Sequence, residues 1–156
     1  MIQHNDNVVC VPLPSHQSDG LLPAGVHRCT WAELEARFGA SAYRSSLLHG
    51  LLEAARMLVR AGCGALYIDG SFVTAKQFPD DFDACWETSG VNPRLLDPVF
   101  FDFANKRAAQ KARFKGELFL ANYIAAPGIT FLDFFQKDKN TGMPKGIVSL
   151  DLGSLP

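Results

Sequence analysis

The chain has 156 residues and a formal net charge of -1, and 47% of its residues are hydrophobic. This size and composition fit one globular domain with its own core and exclude a disordered chain. The near-neutral charge gives no general indication of nucleic-acid or membrane binding, and no run of about 18 apolar residues predicts a membrane span.

The N-terminus and the cysteines indicate the cellular compartment. Residues 1–7 are polar and lack the layout of a secretion signal. The four cysteines are widely spaced and form no Cys-x-x-Cys pair, so we expect free buried thiols in a reducing cytoplasm and no zinc site. They are Cys10, Cys29, Cys63 and Cys85.

The first third of the chain divides into an arm and two helices. Residues 1–29 are rich in proline and glycine and predict an irregular N-terminal arm, in which only residues 8–11 hint at a strand. Residues 30–156 are predicted to form the single domain. Thr30 and Glu33 have the spacing of a capping box, which predicts a helix over 31–38. Ser41 then precedes apolar residues at helical spacing, which predicts a helix over 42–61.

The middle of the chain carries the most informative stretch. Residues 65–69 form a short apolar run that predicts a buried strand, and Gly70-Ser71 ends it. Glycine at this position allows a close approach to the backbone that a larger side chain would block. A second strand is predicted over residues 81–86. Its period of two places Asp81 and Asp83 on one face, with Phe82 and the next alanine toward the core.

The remaining elements complete an α/β (α+β) fold with a small mixed sheet flanked by helices. We predict helices over 98–113 and 131–136 and strands over 116–124 and 146–152, from their capping residues and apolar patterns. The helix over 98–113 ends in a run of basic residues. These are favourable charges on a solvated helix end, or a wall that binds triphosphate or RNA. They are Lys106, Arg107, Lys111, Arg113 and Lys115.

The order of these parts predicts a site for phosphate and metal. A strand followed by a Gly-Ser turn can present backbone N–H groups to an anion. Two carboxylates about 6–7 Å apart along a strand suit a hard cation such as Mg²⁺. The alternative is structural, since Gly-Ser occurs in many turns and an Asp-x-Asp strand can be a solvated edge.

The spacing of Gly70-Ser71 and Asp81-Phe82-Asp83 resembles the signature of the DNA polymerase beta-like nucleotidyltransferases. The string over 69–74, followed by Lys76 and Pro79, resembles a small uncharacterised bacterial branch of that superfamily, and the resemblance extends from about residue 22 to residue 152. It implies a nucleotidyltransferase-like fold and transfer of NMP, most readily AMP, from a nucleoside triphosphate with Mg²⁺ or Mn²⁺.

The resemblance also implies roles for particular residues. Gly70 and Ser71 would bind the nucleotide, while Lys76 either contacts the triphosphate or is simply solvated. Asp81 and Asp83 would be catalytic metal ligands. Enzymes of this kind use a third carboxylate from a neighbouring strand. We expect Glu117, which starts the next predicted strand, with Asp151 on the last strand as the alternative.

The acceptor and the partners are less defined by the sequence. The resemblance implies a hydroxyl of a protein or an RNA as acceptor, and a helical toxin-like protein as partner. No helical domain follows the last predicted strand, so we expect a partner or a second copy of the chain to complete the acceptor site. The alternative function is a non-catalytic binding module, such as an antitoxin. Two closely spaced carboxylates favour the enzyme, because a binding module does not need their mutual repulsion.

Overall fold

Residues 11–156 are described by a computed structural model of the chain. Within this range the chain forms a mixed α+β domain, as the sequence predicts. The strand hinted at over residues 8–11 falls almost entirely outside the described residues, and Val11 itself is not in a strand. No helix in residues 11–156 is both long enough and apolar enough to cross a bilayer.

Five strands form the main sheet in the order β1-β7-β2-β3-β4. The outer pairs, β1 with β7 and β3 with β4, are parallel, whereas β2 runs antiparallel to both of its neighbours. Two further short strands, β5 and β6, form a separate hairpin. The strands are β1 (Gly25–Cys29), β2 (Leu66–Asp69), β3 (Phe82–Trp86), β4 (Gly116–Leu120), β5 (Ile124–Ala126), β6 (Ile129–Thr130) and β7 (Gly146–Leu150).

The first two helices begin where their capping residues predict. Thr30 and Glu33 form both hydrogen bonds of a capping box, and Ser41 accepts a hydrogen bond from the Arg44 N–H. These side chains satisfy N–H groups that have no partner inside the helix, which sets the helix start. The helices are α1 (Trp31–Phe38), α2 (Ala42–Arg60), α3 (Ala104–Phe114) and α4 (Phe131–Phe134).

The two faces of the sheet are buried by different elements. The side chains of Ile68, Ala84 and Leu118 belong to the main core, which also contains the apolar faces of α1 and α2. The opposite face carries a smaller cluster in which Phe119 and Phe135 pack beneath the segment around α4. Strand alternation therefore places the polar residues between these core positions on the second face.

Helix α3 covers the free edge of β4. Gln110 is fully buried, and its Oε1 accepts a hydrogen bond from the Leu118 N–H at 2.8 Å. The Gln110 Nε2 donates to the carbonyls of Val99 and Phe100. These bonds satisfy an edge N–H that would otherwise be available to another strand, and they fix α3 beside β4.

Several predicted elements differ from the observed ones; among them, the helix predicted over 131–136 ends at Phe134. Residues 25–29, predicted to be irregular, form β1, because β7 supplies a partner that a local pattern does not show. The helix predicted over 98–113 divides into a 3-10 turn at Pro98–Phe101 and helix α3. The strand predicted over 116–124 divides into β4 and β5. The last strand ends at Leu150, because Asp151 caps a 3-10 turn.

Three of the cysteines are buried, as the sequence predicts. They are Cys29, Cys63 and Cys85. Burial raises the pKa of the Cys63 and Cys85 thiols, which keeps both in the unreactive protonated form. Cys10 lies outside the described residues.

Candidate metal and phosphate site

Three carboxylates from two neighbouring strands meet at one end of the sheet. Asp83 and Glu117 are register partners in the parallel pair β3–β4, and Asp81 lies just before β3 on the same face. Asp81, Asp83 and Glu117 each offer an oxygen, and these oxygens lie within 4.8 Å of one another. We call these three residues the acid cluster. The structure thus brings together the two predicted aspartates and the preferred third acid.

The alternative third acid lies elsewhere. Asp151 follows β7, accepts a hydrogen bond from the Gly153 N–H and lies 3.7 Å from a guanidinium nitrogen of Arg28. Its environment is that of a turn residue at the β1–β7 edge. Strand order explains the difference, because β4 is adjacent to β3 whereas β2 separates β7 from β3.

Gly70 makes room for the acid cluster. Its φ of +76° is a conformation that side-chain-bearing residues rarely adopt, and a Cβ atom built on it would lie 2.2 Å from Asp83 Oδ2. Asp69, the residue before it, is the register partner of Asp83 across the β2–β3 pair. The turn at Gly70-Ser71 is therefore in direct contact with a predicted metal ligand.

The carboxylates of the acid cluster are partly buried and repel one another. Burial, together with the charges of Asp81, Glu117 and Asp69, raises the pKa of Asp83 from 3.8 to about 7, although the charge of Lys145 opposes this shift. Burial, and then the charge of Glu117, also raises the pKa of Asp81. Buried carboxylates that repel one another are stabilised by a shared cation.

A lysine that the sequence analysis did not single out contacts the acid cluster. Lys111 Nζ lies 2.9 Å from Glu117 Oε1 and 4.0 Å from Asp81 Oδ2. The hydrogen bond with Glu117 raises the pKa of the Lys111 ammonium. Its only indication in the sequence was membership of the basic run in α3. The next basic residue of that run, Arg113, instead pairs with Glu53 and Asp97 on the opposite side.

A buried ion pair adjoins the acid cluster. Asp69 is 1% exposed, and its Oδ1 lies 3.3 Å from Lys145 Nζ. Burial raises the pKa of Asp69 to about 6, although the charge of Lys145 opposes this shift. Its buried position on β2 makes it a fourth carboxylate beside Asp83, with Lys145 as its counter-charge.

The loop between the Gly-Ser turn and the aspartates is held by α2. The guanidinium of Arg44 donates to the carbonyls of Phe38, Phe72, Thr74 and Lys76 at distances between 2.5 and 3.3 Å. The hydroxyl of Tyr43 donates to the Pro79 carbonyl at 2.6 Å. Arg44 is 9% exposed, so this anchor is almost fully buried. Sequence reasoning missed it, because its partners are backbone carbonyls and have no sequence signature.

The two remaining predicted nucleotide ligands lie in this loop. Ser71 begins a 3-10 turn at Ser71–Val73, and no protein atom within residues 11–156 is hydrogen-bonded to its hydroxyl. Lys76 is half-exposed, and its Nζ lies 4.0 Å from Asp80. The ammonium of Lys76 slightly lowers the pKa of Asp81, so it contributes charge near the acid cluster without contacting it.

A further cation, Arg107, borders the site. The guanidinium of Arg107 lies 3.8 Å above the ring centre of Phe119 and close to the rings of Phe103 and Phe131. Burial lowers the pKa of Arg107, while the charges of Glu117 and Asp83 oppose that shift. The charges of Glu117 and Asp83 act on both Arg107 and Lys111, so both cations lie near the acid cluster.

The donor set fits a hard divalent cation. All three members of the acid cluster offer carboxylate oxygens, which Mg²⁺ and Mn²⁺ prefer, and no described histidine or cysteine joins them. A Gly-Ser turn whose hydroxyl has no hydrogen-bond partner among the described residues lies beside one ligand. The fold and the site thus define a small α+β protein with a three-carboxylate centre next to a candidate phosphate turn.

The chain belongs to a family of unknown function, DUF6932, which matches residues 14–151. The matched range includes every residue of the acid cluster and the turn beside it. No curated protein matches the chain. No solved structure matches it either.

Proposed function

We propose that this protein is a metal-dependent nucleotidyltransferase of the DNA polymerase beta-like kind. It moves NMP, most readily AMP, from a nucleoside triphosphate to a hydroxyl of a protein or an RNA. The observation that carries the proposal is the contact between the Gly70-Ser71 turn and the acid cluster, because one element suits phosphate and the other suits metal. Their spacing in the sequence resembles the signature of that superfamily.

Each part of the site has a separate task. Asp81, Asp83 and Glu117 would hold Mg²⁺ or Mn²⁺, which stabilises the negative charge of a phosphoryl group during transfer. The Ser71 hydroxyl and the adjacent backbone would bind the triphosphate, with Lys76 as a mobile charge. Arg44 keeps the connecting loop in place, so that the turn and the acid cluster stay in register.

The reaction is a substitution at the α-phosphorus. The acceptor hydroxyl gives its proton to a carboxylate of the acid cluster, and we assign this role to Glu117. The hydroxyl oxygen then forms a bond to the α-phosphorus, while the bond between that phosphorus and the bridging oxygen breaks. Pyrophosphate leaves with the electron pair. No oxidant or reductant is required, so atoms and charge balance with the substrates named.

The experiment uses the full chain with each of the four nucleoside triphosphates, labelled at the α-phosphate, in Mg²⁺ or Mn²⁺. Cell lysate supplies protein and RNA acceptors. We expect label to be transferred from ATP and release of pyrophosphate. Asp83→Asn should abolish both, whereas Asp80→Asn should leave them unchanged. Asp80 is a matched control, because it is three residues away, acidic and 94% exposed on its side chain.

The opposite result assigns the chain to a different class. If no label is transferred with any nucleotide, the protein is a non-catalytic module that acts through a partner, such as a helical toxin-like protein. Transfer that survives Asp83→Asn contradicts the assignment of the acid cluster. Buried thiols suit a reducing compartment, and we place the protein in the cytoplasm, alone or as a homo-oligomer.

A further inference from the structure

Lys111 occupies the side of the acid cluster that faces α3. Its ammonium lies 2.9 Å from Glu117 and 4.0 Å from Asp81, so it contacts two of the three proposed metal ligands. The neighbouring Gln110 anchors this part of α3, because it accepts a buried hydrogen bond from the Leu118 N–H of β4 and donates one to the Val99 carbonyl. The backbone of Lys111 is therefore fixed, while its side chain is 39% exposed and has a path into solvent.

A divalent cation and this ammonium compete for the same oxygens. The candidate ligand atoms of the acid cluster lie within 4.8 Å of one another, so a cation shared by them would lie close to the Lys111 ammonium. Two positive charges at such a distance repel, and each needs the lone pairs of Glu117. The flexible four-carbon stem of lysine allows the ammonium to move away without a backbone change.

We propose that Lys111 is the resident counter-ion of the acid cluster and that a divalent cation displaces it toward the nucleotide phosphates. The inference rests on the proposed function, since it assigns the released ammonium to the same substrate. Metal alone binds weakly because it must displace this ammonium. Metal binds tightly together with nucleotide, because the ammonium then leaves the acid cluster and pairs with the nucleotide phosphates. Lys111 thereby couples metal binding to nucleotide binding.

The first measurement is the affinity for Mn²⁺ without nucleotide at pH 8. Electron paramagnetic resonance detects the free Mn²⁺. We compare the wild type with Lys111→Met and Lys106→Met. Removal of the competing charge should tighten Mn²⁺ binding to Lys111→Met by about tenfold. Lys106→Met is the matched control, since Lys106 lies in the same helix, is exposed and makes no ion pair among the residues described. Its Mn²⁺ affinity should equal that of the wild type.

The second measurement uses only the wild type, so it does not depend on whether a variant folds. The Nζ resonance of Lys111 in the wild type is followed during addition of Mg²⁺, first alone and then with ATP. Displacement predicts a shift toward the position of solvated lysines with Mg²⁺, and a second shift when ATP is added. A resonance that stays unchanged through both additions would overturn the inference, because the ammonium would then remain on Glu117.

The outcomes separate this inference from the proposed function. Mn²⁺ affinity that is equal or weaker in Lys111→Met overturns the counter-ion role, even if the wild type transfers nucleotide. Tighter Mn²⁺ binding in Lys111→Met without any ATP-dependent shift of the Lys111 resonance supports the counter-ion role and overturns the phosphate contact. Absence of Mn²⁺ binding in both proteins, with or without ATP, overturns the metal site and this inference together.

Discussion

At the scale of single residues, Gly70 and Asp83 depend on each other. The carboxylate of Asp83 fills the space that any side chain at position 70 would need, and the positive φ of the glycine adds a backbone requirement. The steric cost and the backbone cost of a side chain can be measured separately. Gly128 has a similar φ of +74° but open space around it, so a side chain there meets only the backbone cost.

We expect Gly70→Ala to destabilise the protein more than Gly128→Ala. Both variants carry the strain of alanine at positive φ, on the order of 1 kcal/mol, but only Gly70→Ala places a methyl group against Asp83. Chemical denaturation measures both free energies of unfolding. A double variant with Asp83→Ala should recover part of the excess cost. Equal costs for the two glycine variants would show that the contact with Asp83 is not tight.

The pKa of Asp83 predicts how stability depends on pH without metal. Its carboxyl has a pKa of about 7 in the folded chain against 3.8 ordinarily, so between these values the folded protein holds a proton that the unfolded chain has lost. The free energy of unfolding therefore falls as pH rises from about 4 to 7, and this loss persists at higher pH.

Asp83→Asn should remove much of this pH dependence. We expect wild type and variant to be similarly stable near pH 4 and below in EDTA, because the carboxyl is then largely neutral in the folded and the unfolded chain and asparagine resembles this neutral form. At pH 8 the variant should be more stable, by an amount on the order of 2 kcal/mol. Because the pKa of Asp69 is also raised, to about 6, the stability of both proteins should still depend on pH to some extent. A variant that is less stable than wild type at pH 8 would show that Asp83 has a structural role.

At the scale of elements, α3 begins with an unusual backbone. Asn105, Lys106 and Arg107 all have φ between 50° and 59° and ψ between 36° and 48°, which is the left-handed region. Each such residue costs about 1–2 kcal/mol in an L-amino-acid chain. The consequence of this conformation is that Arg107 lies over Phe119 beside the acid cluster. Strain of this kind persists where the surrounding packing determines the backbone.

Lys106→Gly should therefore stabilise the protein, by up to about 1 kcal/mol, because glycine adopts this conformation without the steric cost. Ala112→Gly in the right-handed part of the same helix should instead destabilise the protein, by about 0.5–1 kcal/mol. Both positions are exposed, so packing contributes little. Thermal or chemical denaturation of the two variants gives the comparison. A destabilising Lys106→Gly would mean that residues 105–107 are right-handed in solution.

At the scale of the whole molecule, four elements must meet before the site exists. β2 ends at the turn, β3 and β4 supply the acid cluster, and α3 supplies Lys111. Arg44 in α2 holds the intervening loop through backbone carbonyls. Metal and nucleotide would therefore bind to the assembled domain and not to the unfolded chain, and such ligands raise the melting temperature by mass action.

We expect Mg²⁺ and a nucleoside triphosphate to stabilise the protein synergistically. Each alone should bind weakly, because Mg²⁺ holds its waters and the triphosphate faces negative carboxylates. The thermal shift with both should exceed the sum of the separate shifts. Asp83→Asn should abolish the excess, and Ser71→Ala should reduce it by removing one phosphate contact. Additive shifts for all four nucleotides, with Mg²⁺ and with Mn²⁺, would contradict a shared site.

The sequence alone determined those features that depend on residues close together in the chain. The capping box of Thr30 and Glu33 places the start of α1 correctly, since its hydrogen bonds span only three residues. Alternation along β3 places Asp81 and Asp83 on one face, because the strand period is local. The requirement for glycine at position 70 was also readable, since it follows from the absence of a side chain.

The tertiary structure decided those features in which distant residues meet. β1 exists because β7, more than 100 residues later, offers a parallel partner. Glu117 joins the aspartates, and Asp151 does not, because of strand order, which no local pattern contains. Lys111 and Lys145 acquire their roles through contacts with carboxylates on other elements, and Arg44 through hydrogen bonds to backbone carbonyls. Such contacts leave no periodicity in the sequence, because each depends on one side chain that meets distant residues.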